Sequence, residues 1–303
     1  MSSVHRVLGL TLLAGAGVSA GMAAEAPSCR DLERRFELIK SEATATQLNL
    51  ALFTAADAGC LPLVRRLIEA GASLDARDRL GAMALARAAR GGHVALVEAF
   101  LAQGAAIDAR NLAGATALYA ATENERQATV ALLLAKGADP NLPGRSGVTP
   151  LAAAAFKGND RIVAELIARG ADPNVVDATG KTAIVYAAAR GFAAIVRRLL
   201  DAGVDAKRAY GNDLTALMWA AGHEDGVGAR AALEVIEALL AAGAPIDAVD
   251  NRGRTALMAA AELGHGAVVE LLLARGADRT IADKSGKRAV DLAADDDARQ
   301  RLK

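Results

Sequence analysis

The sequence predicts an all-α repeat solenoid built from short helix pairs, and four observations predict it. Gly71, Gly104, Gly137, Gly170 and Gly203 fall 33 residues apart; Gly243 follows after 40 and Gly276 after 33 again. A second comb in the same phase is Gly81, Gly114, Gly147, Gly180, Gly253 and Gly286, and a third is Val64, Val97, Val130, Val163, Val196, Ile236 and Val269. A fixed period of this length marks supersecondary units that bury their apolar faces only against their neighbours. The last observation is compositional: 53% of the residues are hydrophobic but only 3% aromatic, so small aliphatic side chains must build the core. A length of 303 residues would otherwise suggest about two ordinary domains.

The first element is a leader. Residues 1–24 carry one weakly basic start, His5 and Arg6, then an apolar run over 7–13 and small residues over 14–24, the order of a secretory signal peptide. Cleavage is expected between Ala20 and Ala24. An uncleaved anchor over 7–24 is the rival, weakened by its glycines, and Cys29 stands too far beyond the apolar run for a lipoprotein. Removing the leader takes away Arg6 alone and leaves 34 basic against 35 acidic residues, a net charge of −1. Residues 25–44 are expected to form an N-terminal capping helix, with Ser28 as its cap and Leu32, Phe36 and Ile39 on one stripe.

The array itself spans residues 45–303. Thr116, Thr149, Thr182, Thr215 and Thr255 each precede an apolar run, where a hydroxyl can accept from exposed backbone amides, and Pro150 suits a first helical turn. Paired alanines such as Ala88-Ala89, Ala154-Ala155, Ala187-Ala188 and Ala260-Ala261 let neighbouring helices approach closely. Val163, Leu166 and Ile167 lie three and four apart, the buried stripe of a second helix, and Gly170 ends it with a left-handed residue.

The unit written most fully runs Ser146-Gly147-Val148-Thr149-Pro150-Leu151, Ala154-Ala155, Gly158, Ile162-Val163, Leu166-Ile167, then Gly170-Ala171-Asp172-Pro173-Asn174. This resembles the ankyrin repeat, and the resemblance covers about seven full units and a partial C-terminal one, in a chain of exported bacterial type. It implies helix, turn, helix and short β-hairpin in each unit, and a partner-binding groove lined by hairpin tips and inner helices. The family's histidine after the leucine is replaced throughout, by Phe53, Ala86, Tyr119, Ala152, Val185, Met218, Met258 and Asp291. Glu125 stands for an interhelical glycine and Asp213 for a hairpin glycine, so local irregularity is expected at both. At the C-terminus, Asp295-Asp296-Asp297 and residues 299–303 replace the second helix's apolar stripe with a solvated cap.

Cys29 and Cys60 are the two cysteines. In an exported protein two lone cysteines most often pair, and by loop entropy such a bridge would contribute roughly 3–4 kcal/mol and hold the cap down; two free thiols are the alternative. The sixth unit carries seven extra residues, 223–229, read either as a tolerated surface loop or as a partner-specific contact.

Chemistry is sparse. His93 and His265 follow interhelical glycines, a repeat position, and His223 with Glu224 and Asp225 falls short of a metal site. No nucleophile, metalloprotease or phosphate-loop motif occurs, so no enzyme, cofactor or metal is expected. Lys plus Arg and Asp plus Glu both total 35, which argues against nucleic acid. Charge placement is more informative. Variable groove positions hold Arg79, Arg90, Arg145, Lys157, Lys181, Arg190, Arg252, Arg254, Lys284 and Lys287 against Asp57, Glu123 and Glu262, a surplus of +7 on one face. Charged tips also serve solubility alone; the sharper expectation is a protein partner with an acidic surface. Leu112, Phe156, Tyr186 and Trp219 are candidate anchors or, equally, packing residues between units. The expected function is a non-catalytic interaction module outside the cytoplasm, periplasmic or extracellular, with no membrane contact after cleavage. An inhibitor or regulator of an exported enzyme or toxin is the alternative.

Overall fold

A computed structural model describes residues 28–223 and 226–303. The expected leader, residues 25–27 of the cap, and Glu224 and Asp225 of the insertion lie outside them. The cap is α1 (Cys29–Ile39). Helix pairs then follow in one register: α2 (Ala45–Asp57) with α3 (Leu61–Glu69), α4 (Ala84–Gly91) with α5 (Val94–Ala102), and α6 (Ala117–Glu123) with α7 (Gln127–Ala135). Next come α8 (Pro150–Lys157) with α9 (Asp160–Ala168), α10 (Ala183–Ala189) with α11 (Ala193–Asp201), and α12 (Ala216–Ala221) with α13 (Ala229–Ala241). The series ends with α14 (Ala256–Glu262) and α15 (Gly266–Ala274), then α16 (Ala289–Leu292) and α17 (Asp296–Arg301). The described part of the insertion joins α12 to a lengthened α13. In the sixth hairpin β1 (Ala209–Tyr210) pairs antiparallel with β2 (Leu214–Thr215).

The inner helices start where the threonines stand. Thr116, Thr149, Thr215 and Thr255 accept from the backbone N–H three residues on, satisfying amides that the helix leaves open. Thr182 departs from this expectation and makes no such bond. The paired alanines are fully buried, and each inner helix packs on the next, α4 on α6, α8 on α10 and α10 on α12. Small side chains at these contacts explain a core that needs few aromatics. Gly170, at φ +86°, has open space where a Cβ would stand, so it is held by conformation alone.

A second register clasps several units to the one before. The residue after the interhelical turn lays its side chain over the preceding unit: a Cβ on Gly158 would lie 2.5 Å from the Phe192 ring. His93 Nε2 donates to the Asp57 carbonyl at 2.9 Å, Arg126 Nε to the Arg90 carbonyl at 3.1 Å, and His265 Nδ1 to the Ala221 carbonyl at 2.9 Å. These carbonyls close the ends of inner helices, so each bond also satisfies an acceptor that the helix leaves open. Cys60 occupies the same position in the first unit, and there the clasp is covalent: Cys29 and Cys60 form a disulfide with a Cα–Cα distance of 5.4 Å. In the cap Ser28 accepts from Asp31 N–H, and Leu32 and Phe36 are buried while Ile39 stays exposed.

The hairpin tips form a third register. Asp78, Asn111, Asp177, Asp250 and Asp283 each accept two backbone N–H groups of their own tip through one side-chain oxygen. Gly144 and Tyr210 break the pattern. At Gly144 the cause is steric, because the Tyr119 ring lies where a side chain would go, 2.7 Å from a Cβ.

The irregularities expected at Glu125 and Asp213 take the form of left-handed backbone, φ +57° and +61°, in which these residues hold the conformation of the glycines they replace. At the C-terminal end Asp295, Asp296, Asp297, Arg299, Gln300 and Lys303 are exposed, and the segment forms the short helix α17, capped by Asp295 accepting from Ala298 N–H, with Ala298 and Leu302 buried. The acidic run starts a short helix, so it supports local structure as well as solvation.

Candidate functional site on the concave face

The inner helices and tips bring the expected residues to one face, but their charges divide into neutralised and open regions. In the first two units Arg90 pairs with Asp57 at 2.9 Å, and Arg87 bridges Asp57 and Asp78. Towards the other end Arg252 pairs with Asp250 at 3.0 Å, while Arg254 lies between Glu262 and Asp283, 3.5 Å from the latter. Arg90, Arg252 and Arg254 are thus already committed within the fold. Arg79, Lys284 and Lys287 are exposed at tips.

Between these ends the picture changes. Among the described residues Arg145, Lys157 and Lys181 make no ion pair with a carboxylate. Arg145 is exposed on the fourth tip and Lys157 at the end of α8. Lys181 Nζ stands 5.1 Å from the centre of the Trp219 ring and 5.8 Å from that of Tyr186. Arg190 stacks 4.5 Å from the centre of Phe156, whose ring meets Tyr186 edge-on at 5.8 Å. Phe156, Tyr186 and Trp219 are all half-buried, so each both packs between units and offers part of its surface to the groove. Cations held over aromatic faces gain from the ring quadrupole. Trp219 Nε1–H is buried without an acceptor among the described residues. Leu112, 81% exposed, sits further along on the third tip.

The ring hydroxyls stay neutral. Burial raises the Tyr186 pKa, and the hydrogen bond to Asp177 reinforces the shift; burial pushes Tyr119 up to about 12. Neither tyrosine supplies a base near neutral pH. Among the described residues no group of three or more His, Cys, Asp or Glu side chains is arranged to hold a metal ion. His223 instead stacks on His265 with ring centres 3.8 Å apart.

Sequence reasoning missed Arg87 and Leu80. Arg87 shares a register with Tyr186 and Trp219, at 87, 120, 153, 186 and 219, so the repeat phase alone could have placed it in the groove. Leu80 is the tip neighbour of Leu112 and 68% exposed. No helix among the described residues is long and apolar enough to cross a membrane.

The profile of the family described as Ankyrin repeats (3 copies) matches residues 52–143, 151–229 and 227–300. No curated protein matches the chain. Ankyrin repeats are generally protein–protein interaction modules and generally not catalytic. With its helix pairs in one register and the match running from residue 52 to residue 300, the chain belongs to the ankyrin repeat family.

Proposed function

We propose that this chain is an exported, non-catalytic binding module that takes an acidic protein surface into the groove over its fourth to sixth units. One observation carries the reading: Arg145, Lys157 and Lys181 are uncompensated, Lys181 over Tyr186 and Trp219, whereas Arg90, Arg252 and Arg254 are compensated. An open cation attracts a partner carboxylate from a distance, while a paired one must first give up its own. The indole N–H of Trp219, buried without an acceptor among the described residues, leaves a donor at the same place that a partner's acceptor could satisfy. The disulfide supports export, because such bridges persist in oxidising compartments. The same surface would serve an inhibitor of an exported enzyme or toxin.

A labelled oligo-glutamate peptide tests the reading at low and high salt. Binding should weaken at least tenfold in Lys157→Glu/Lys181→Glu and stay within twofold in Arg252→Gln, whose charge is already spent on Asp250. Equal loss in both variants, or none in either, would overturn the proposal. Mass spectrometry of the full chain expressed with export checks the leader; a mature protein retaining residues 1–24 would refute cleavage.

A further inference from the structure

Leu80 and Leu112 are large apolar side chains held in water by ordered tips. They stand side by side: Leu112 N–H donates to the Leu80 carbonyl at 2.9 Å, and a Cβ on Gly81 would lie 3.0 Å from Leu112 Cγ. Their loops are fixed by Asp78 and Asn111, each accepting two N–H groups of its own tip. Elsewhere the two registers hold small, polar or charged residues, among them Arg79, Arg145, Ser146, Thr179 and Lys284. The apolar pair is therefore a local departure, not a rule of the repeat. Folding does not account for it, because both side chains remain mostly exposed.

The next tip along carries Arg145, and the fifth places Lys181 behind it over Tyr186 and Trp219. The leucine pair, flanked by the exposed Arg79, is thus followed over consecutive units by Arg145 and Lys181. We propose that the partner is an extended acidic protein segment with an apolar end: its apolar side chains cover Leu80 and Leu112, and its carboxylates meet Arg145 and Lys181. This rests on the acidic-partner reading and adds the apolar end and the spacing. Packed helices lie about 8–10 Å apart, so Leu112 and Lys181, two units apart, are separated by about 16–20 Å. At about 3.3 Å per extended residue, five or six residues span that distance. The charged end gives steering and register; the apolar end gives burial that salt does not screen.

Three labelled peptides test this: oligo-glutamate alone, oligo-glutamate with a Leu-Leu pair five residues away, and the same with the pair directly adjacent, the last two made in both orders. In one order the spaced peptide should bind at least tenfold more tightly than oligo-glutamate, and more tightly than the adjacent form. Leu80→Ser/Leu112→Ser should erase the gain while leaving plain oligo-glutamate binding unchanged. A gain that survives in the serine variant, or that is equal at both spacings, overturns the proposal and leaves the acidic-partner reading standing. No binding by any of the peptides overturns both. A concentration-dependent dimer lost in the serine variant assigns the leucines to a second copy of this chain and also overturns it.

Discussion

Reducing the Cys29–Cys60 bridge should release α1 without melting the array. The bridge closes a loop of sequence separation 31, for which chain entropy gives about 3–4 kcal/mol of stabilisation. Little else holds α1: it buries Leu32 and Phe36, Arg66 stacks 5.2 Å from the Phe36 ring centre, and Glu37 pairs with Arg66 at the surface. Each unit depends on its immediate neighbours, so the loss falls on the cap and the first unit. Amide exchange over residues 29–39 should accelerate by about a hundred- to a thousandfold on reduction, the equivalent of that free energy at about 1.4 kcal/mol per tenfold. Amides of α8 and α10 should keep their protection to within about a factor of three. Cys29→Ala/Cys60→Ala should match the reduced protein. The reasoning is refuted if α1 exchanges alike in both redox states, or if reduction lowers protection equally in every unit.

Three further outcomes follow from the same geometry. Glu125→Gly should stabilise the protein by about 1 kcal/mol in urea unfolding, because Glu125 holds φ +57°, a region glycine occupies without steric cost. Thr129 is 1% exposed, and its hydroxyl has no partner among the described residues; Thr129→Val should raise stability by about 1 kcal/mol, read as a higher denaturant midpoint. The Asp283 carboxyl is held down to about 2, first by the Ser285 hydroxyl and then by the Lys287 N–H, against some opposition from burial. A lowered folded-state pKa gives stability that is present above the unfolded carboxyl's value near 4 and lost as pH falls towards 2. Urea midpoints of Asp283→Asn should therefore differ most from the parent above pH 4, and the gap should close towards pH 2.

The repeat phase was legible because each unit needs the same residue types at the same places: threonine to start an inner helix, alanines where helices touch, glycine where φ must be positive. Those demands are local and recur. What the sequence hid depends on contacts between units. Arg90 reads as an open groove cation until Asp57, 33 residues earlier, is brought against it, and Arg254 until Asp283 arrives from the following tip. Charge counting treats like residues alike, whereas the fold spends some cations and leaves Arg145, Lys157 and Lys181 unspent. Glycine at 144 was also opaque, since its cause is a ring contributed by the preceding unit, Tyr119. The substitutions at the family's histidine position say only that its hydrogen bonds are missing. The hydrogen bonds that do join units became visible only in the clasps made by His93, Arg126 and His265.

Those clasps bear on how such an array can grow. The units clasped through His93, Arg126 and His265 need only a helix-end carbonyl on the neighbour, so copying one of them lengthens the row without new chemistry. The first unit is different. A duplicated copy would carry a second Cys60 into the interior with no Cys29 to meet it, leaving a thiol able to capture the wrong partner during oxidative folding. Growth by duplication is therefore confined to units behind the bridge, and the N-terminal end is the fixed origin from which the length of the groove is counted.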